Sequence, residues 1–74
     1  MDFSEALRVL KDGGRVQRPF WRQDRNWIIS LHNPGEGEAV DHPLFVKDGV
    51  GGRVVWCPTH GDLLAVDWVV TDGG

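Results

Sequence analysis

A chain of 74 residues with a single cysteine, Cys57, must hold its fold without an internal disulfide. A domain this short buries only about 60% of the surface its unfolded chain exposes. Its core alone supplies roughly 3–5 kcal/mol, so short domains usually add disulfides, a metal or partner subunits. The three histidines, His32, His42 and His60, are scattered, and with Cys57 they show none of the spacings that bind zinc. Partner subunits are the device that remains, and a homo-oligomer is expected.

Charge narrows the function classes. A formal net charge of -3 argues against a general binder of DNA or RNA polymers, which carries a basic excess. The charges segregate along the chain. Arg8, Lys11, Arg15, Arg18, Arg22 and Arg25 fall in one N-terminal stretch that holds only Asp12 and Asp24 among them, whereas acids dominate beyond residue 35. This asymmetry is compatible with a local anion site on an acidic protein. It is also what a set of solvated surface arginines looks like. No apolar run approaches a membrane span and the N-terminus lacks a signal-peptide core, so a cytoplasmic protein is expected. A lone cysteine fits a reducing compartment.

Local patterns give the order of elements. Asp2-Phe3-Ser4-Glu5 reads as a capping box, and Phe3, Ala6, Leu7 and Leu10 follow at helical spacing. Gly13 and Gly14 end this short helix by supplying a positive φ. Arg15-Val16-Gln17-Arg18 is β-compatible, and Pro19 holds Arg18 extended. Trp27 to Leu31 is a strand, and Asn33 to Glu38 is a loop. Leu44–Lys47 and Arg53–Trp56 form a hairpin across the connection Asp48-Gly49-Val50-Gly51-Gly52. Thr59, with Asp62 three residues on, caps a second short helix, and Asp67 to Thr71 is a last strand before a frayed Gly73-Gly74 end. The fold class is α+β: one small domain over residues 1–74, mainly antiparallel, with an N-terminal helix and a second short helix before the last strand.

Little in this chain promises catalysis. No elbow or nucleophile signature surrounds Cys57 or any serine. Cys57 follows a strand and is expected to be a small buried apolar residue, and His60 is expected at the surface. Asp62 and Asp67 invite pairing, but their separation is open. Gly49-Val50-Gly51-Gly52 lacks the GxxxxGK[ST] pattern and a following helix, so it is a hairpin turn and not a phosphate loop. No catalytic residue, metal or cofactor is called for. The four tryptophans say more. Trp27 and Trp68, each in a β-rich run, are expected in the core. Trp21 and Trp56 lie at strand ends beside turns, where ring faces reach a ligand. With Arg18 and Arg22 near Trp21, stacking and guanidinium pairing suit a nucleotide.

Two ordered motifs make the reading specific. The opening, from Phe3 through Glu5-Ala6-Leu7, Leu10-Lys11, Gly13, Val16 and Arg18 to Trp21, has the pattern F-x-E-A-L-x-x-L-K-x-G-x-x-V-x-R-x-x-W. The closing segment, Trp56 to Trp68, has the pattern W-x-P-[ST]-x-x-D-L-L-A-x-D-W. In both, the chain resembles the second Thoeris anti-defence family of phage sponge proteins, a small phage domain formerly of unknown function. The resemblance implies a compact α+β protomer in a homotetramer, with pockets formed between protomers that bind glyco-cyclic ADP-ribose, the cyclic nucleotide signal of Thoeris, without cleaving it. Some members also bind the cyclic oligonucleotide signals of CBASS at separate sites.

By motif position, the resemblance points to Arg18, Trp21, Trp56, Thr59 and Asp62 as ligand-binding residues. Arg18 would meet a pyrophosphate and Trp21 or Trp56 an adenine, while Thr59 would donate to phosphate or ribose. Asp62 would accept from ribose hydroxyls or serve only as a cap. The chain departs from the family at Phe20, where glycine is usual, across Arg22-Gln23-Asp24-Arg25, and in the loop from Asn33 to Asp41. These changes bear on ligand identity more than on fold. The competing reading is a small phage module that binds a host protein through its aromatic surface.

Overall fold

The computed structural model describes residues 1–35, 37 and 42–71. The expected loop after Asn33 therefore lies partly, and the expected Gly73-Gly74 end wholly, outside the described residues. In chain order the elements are α1 (Phe3–Lys11), β1 (Arg15–Gln17), a 3-10 turn (Pro19–Gln23), β2 (Ile28–His32), β3 (Leu44–Gly49), β4 (Gly52–Val55), α2 (His60–Leu64) and β5 (Val69–Thr71). The strands form one antiparallel sheet in the order β4-β3-β2-β1-β5. The first four make a meander. The last strand returns past α2 to pair with β1 and forms one edge of the sheet.

Helix α1 starts where Asp2 accepts from the Glu5 amide at 2.9 Å. Only that half of the expected capping box forms, because Glu5 makes no return bond. The helix ends through Gly13, at φ +89°, a conformation that a side chain would strain. The neighbouring Gly14 serves differently from expectation, by close approach: a Cβ there would sit 2.5 Å from Val9 Cγ1. This tight turn drops the chain into β1 and lays α1 across the sheet.

Alternation supplies the sheet's inner face. Val16 pairs with Ile29, and Leu31 pairs with Phe45, so these four share the side on which Ala6 and Leu10 of α1 pack. Trp21, Trp56 and Trp68 complete the core, with Phe3 against them. Ring centroids stand 5.3 Å apart for Trp21–Trp68 and 5.9 Å for Trp56–Trp68, both edge-to-face. Removing a ring of this size from water contributes roughly 4–6 kcal/mol before entropy is charged. That is how so short a chain builds a core. Trp68 is the centre: it is 1% exposed, and its indole N–H donates to the Asp62 carbonyl at 2.9 Å.

Two further expectations need correction. The glycine-rich connection is not five residues long, because β3 and β4 run into it and pair Gly49 with Gly52. Only Val50 and Gly51 remain as the turn, with Gly51 and Gly52 at φ +108° and +125°. Cys57 is exposed and not buried. Trp56 extends the ladder by one bond, its N–H donating to the Phe45 carbonyl at 2.9 Å. Its ring takes the inward position, and the next side chain turns to the outside.

Candidate functional site

The 3-10 turn, the middle of β3 and the segment from Trp56 to α2 enclose an open concavity of about 460 Å³. Arg18, Trp21, Trp56, Thr59 and Asp62 all line it. The fold thus brings together five residues that the two motifs hold at opposite ends of the chain. Each is held there by its own set of contacts.

Arg18 sits on the extended residue before Pro19, with φ -93° and ψ 137°, as the proline requires. Its Nη1 donates to Asp62 Oδ1 at 3.1 Å and its Nε to Asp67 Oδ1 at 2.9 Å. The separation of Asp62 and Asp67 is thereby decided: both face one guanidinium. Burial alone would lower the Arg18 pKa, but the hydrogen bonds and charges of Asp67 and Asp62 outweigh it and raise the value. The triad keeps one excess negative charge, so Arg18 is compensated before any ligand arrives. Its guanidinium also lies over Phe20, 4.7 Å from the ring centroid, which places the departure from the usual glycine directly on the rim.

Thr59 and Asp62 form a complete capping box. The Asp62 amide donates to Thr59 Oγ1 at 3.1 Å, and Asp62 Oδ2 accepts from the Thr59 amide at 3.1 Å and the Thr59 hydroxyl at 3.0 Å. Both side chains therefore hold α2 in place while facing the concavity. Trp21 and Trp56, 8% and 7% exposed, are principally core rings that present a narrow surface to it. Their rings make T-shaped contacts with Trp68 and with each other.

Trp27, expected in the core, is half-buried: it packs against the core cluster and also lines the concavity. Lys47, which sequence reasoning did not single out, stands over its ring with Nζ 4.4 Å from the centroid. A signal was available: in β3 Lys47 is two residues from Phe45, so a cation shares the apolar face. Trp27 itself is placed by tertiary contacts. Gln17 is buried, and its Nε2 donates to Asn26 Oδ1 at 3.1 Å and to the Trp27 carbonyl at 3.0 Å, while its Oε1 accepts from Arg22 Nε at 3.0 Å. Arg25 and Asn26 take positive φ values of 58° and 50°, and the Arg25 carbonyl accepts from the Val50 amide at 3.1 Å. The indole then lies on Gly49, where a Cβ would come 2.6 Å from Trp27 Cε3.

The N-terminal basic cluster does not gather in the concavity. Of its six residues only Arg18 lines the concavity, and the others are exposed. Asp24, also on the rim, adds a carboxylate. Cys57 lines the concavity, but no hydrogen bond joins it to a histidine among the described residues. No group of three His, Cys, Asp or Glu side chains fit to hold a metal occurs among the described residues.

The chain belongs to the Thoeris anti-defense 2-like domain family, whose family model matches residues 1–71. It is similar to Thoeris anti-defense 2 of Bacillus phage SP01, at 33% identity over an alignment covering 92% of this chain and 91% of the relative. Both motifs and the strands between them lie inside the matched span.

Proposed function

We propose that this chain is a phage anti-defence protein that captures a cyclic nucleotide-type immune signal, glyco-cyclic ADP-ribose, without degrading it. The convergence of both family motifs on one concavity carries this reading. Its volume falls within the roughly 300–1,000 Å³ of small-molecule sites, and indoles, a guanidinium and an ammonium line it. Family membership supports the anti-defence role. Capture without cleavage is supported by the chemistry of the lining, where the Asp62 carboxylate is engaged by Arg18 and Thr59. The protein would act in the cytoplasm of the infected cell, where such a signal is made. No helix among the described residues is long and apolar enough to cross a membrane.

Sequestration demands affinity, not turnover. A Kd near 1 nM corresponds to about -12.3 kcal/mol, within reach of stacked rings and charge-assisted hydrogen bonds in a site whose parts are already ordered. The test mixes sub-stoichiometric protein with glyco-cyclic ADP-ribose, heats the mixture and recovers the ligand by chromatography. Full recovery of intact ligand is expected. Progressive loss over many turnovers would make the protein an enzyme. Absence of any nucleotide binding would favour the module that binds a host protein.

Self-association into a homotetramer belongs to the same proposal. Leu64 and Val66 are 81% and 75% exposed and adjoin the exposed Leu63 on and after α2, apolar surface that a small core benefits from burying. Light scattering on the purified protein at micromolar concentration decides this, with a folded monomer of 8.3 kDa as the refuting result.

A further inference from the structure

We propose that Lys47, held over the Trp27 ring, is the residue of the concavity that contacts the anionic, pyrophosphate part of the captured nucleotide. This rests on the capture reading above and reassigns the role that the family motifs suggest for Arg18.

Two cations line the concavity, and they are compensated differently. Arg18 is paired with two carboxylates at 3.1 and 2.9 Å. An incoming phosphate meets a triad with net negative charge and must compete with both. Lys47 is steadied by an aromatic face instead, with Nζ 4.4 Å from the Trp27 centroid, and it forms no ion pair among the described residues. A ring quadrupole positions an ammonium without cancelling its charge, so Lys47 keeps its field for a ligand. Asp48, its neighbour in β3, is turned away by its bond to Arg53 at 2.9 Å.

The support beneath this pair is closely packed. Gly49 leaves room for the indole, and the buried Gln17 fixes the Trp27 carbonyl. Trp27 is thus a positioning residue for Lys47, and the guanidinium end of the concavity is left for neutral acceptors such as ribose oxygens. A cation placed beforehand loses little side-chain freedom when an anion binds.

Calorimetry with glyco-cyclic ADP-ribose tests this on the full chain, using wild type, Lys47→Met and Lys47→Arg at low and high salt. Lys47→Met is expected to weaken binding about 10- to 100-fold at low salt, the range of a lost charge-assisted hydrogen bond. It should also remove most of the salt dependence. Lys47→Arg should restore both. A Lys47→Met protein that binds like wild type overturns the assignment. So does equal weakening at all salt concentrations, which is the mark of a merely structural role. A wild-type protein that binds no nucleotide overturns the capture reading and this assignment with it.

Discussion

Replacing Asp62 with alanine separates the two carboxylates that share Arg18. The Asp62 carboxylate accepts three bonds: one from Arg18 Nη1 and two from Thr59. Losing the acceptor side of a capping box costs about 0.5–2 kcal/mol. Losing a charge-assisted bond costs about 1.5–3 kcal/mol, here toward the low end because Asp67 still holds Arg18. The side chains of Arg18 and Asp62 are only 20% and 12% exposed, so solvent screens the pair weakly. The sum is about 2–4 kcal/mol, comparable with the whole core contribution of roughly 3–5 kcal/mol in a domain of this size. A loss of about 8–32 °C in Tm follows at 4–8 °C per kcal/mol. Asp67→Ala makes the contrast, since that carboxylate is 46% exposed and its pairing is worth about 0–1 kcal/mol. Urea titrations followed by tryptophan fluorescence, at one fixed protomer concentration, measure both. An Asp67→Ala cost equal to that of Asp62→Ala, or an Asp62→Ala cost below about 1 kcal/mol, would refute the idea that burial decides between them.

Trp56→Ala should lose about 3–5 kcal/mol of stability because the ring is spent on the core, and circular dichroism should show a largely unfolded chain; a near-native melt with weakened nucleotide binding would return Trp56 to the ligand. Gly49→Ala would push a Cβ to 2.6 Å from Trp27 Cε3 and 2.8 Å from the Arg25 carbonyl. About 1–3 kcal/mol of destabilisation is expected, together with a shift in Trp27 fluorescence, and unchanged spectra and melting would contradict the close packing. Cys57 is exposed on the concavity, so iodoacetamide should label it in the native protein; protection until denaturant is added would place the thiol inside instead.

Local chemistry made much of this protein readable from its sequence. Caps, glycines and the proline act within a few residues, so α1, the extended Arg18 and α2 with its Thr59–Asp62 box were predictable without neighbours. Aromatic and β-branched runs between turn residues marked the strands, and the order of elements implied α+β. The two motifs also named five residues that the fold brings to one concavity. What those residues do there was decided by contacts across the sheet. The pairing of Asp62 and Asp67 on Arg18 spans 44 and 49 positions of sequence, which no local pattern encodes. Whether an indole is core or wall depends on what lies beyond it: Trp56 meets Trp68, whereas Trp27 meets Lys47 and the bare backbone of Gly49. Cys57 followed a strand and was expected inside, yet one further ladder bond at Trp56 set the alternation that turned it out. Sequence determines which groups are present and how the chain bends locally. Tertiary structure determines which charges are already compensated, because electrostatic pairing depends on distance in space, and on that the difference between Arg18 and Lys47 turns.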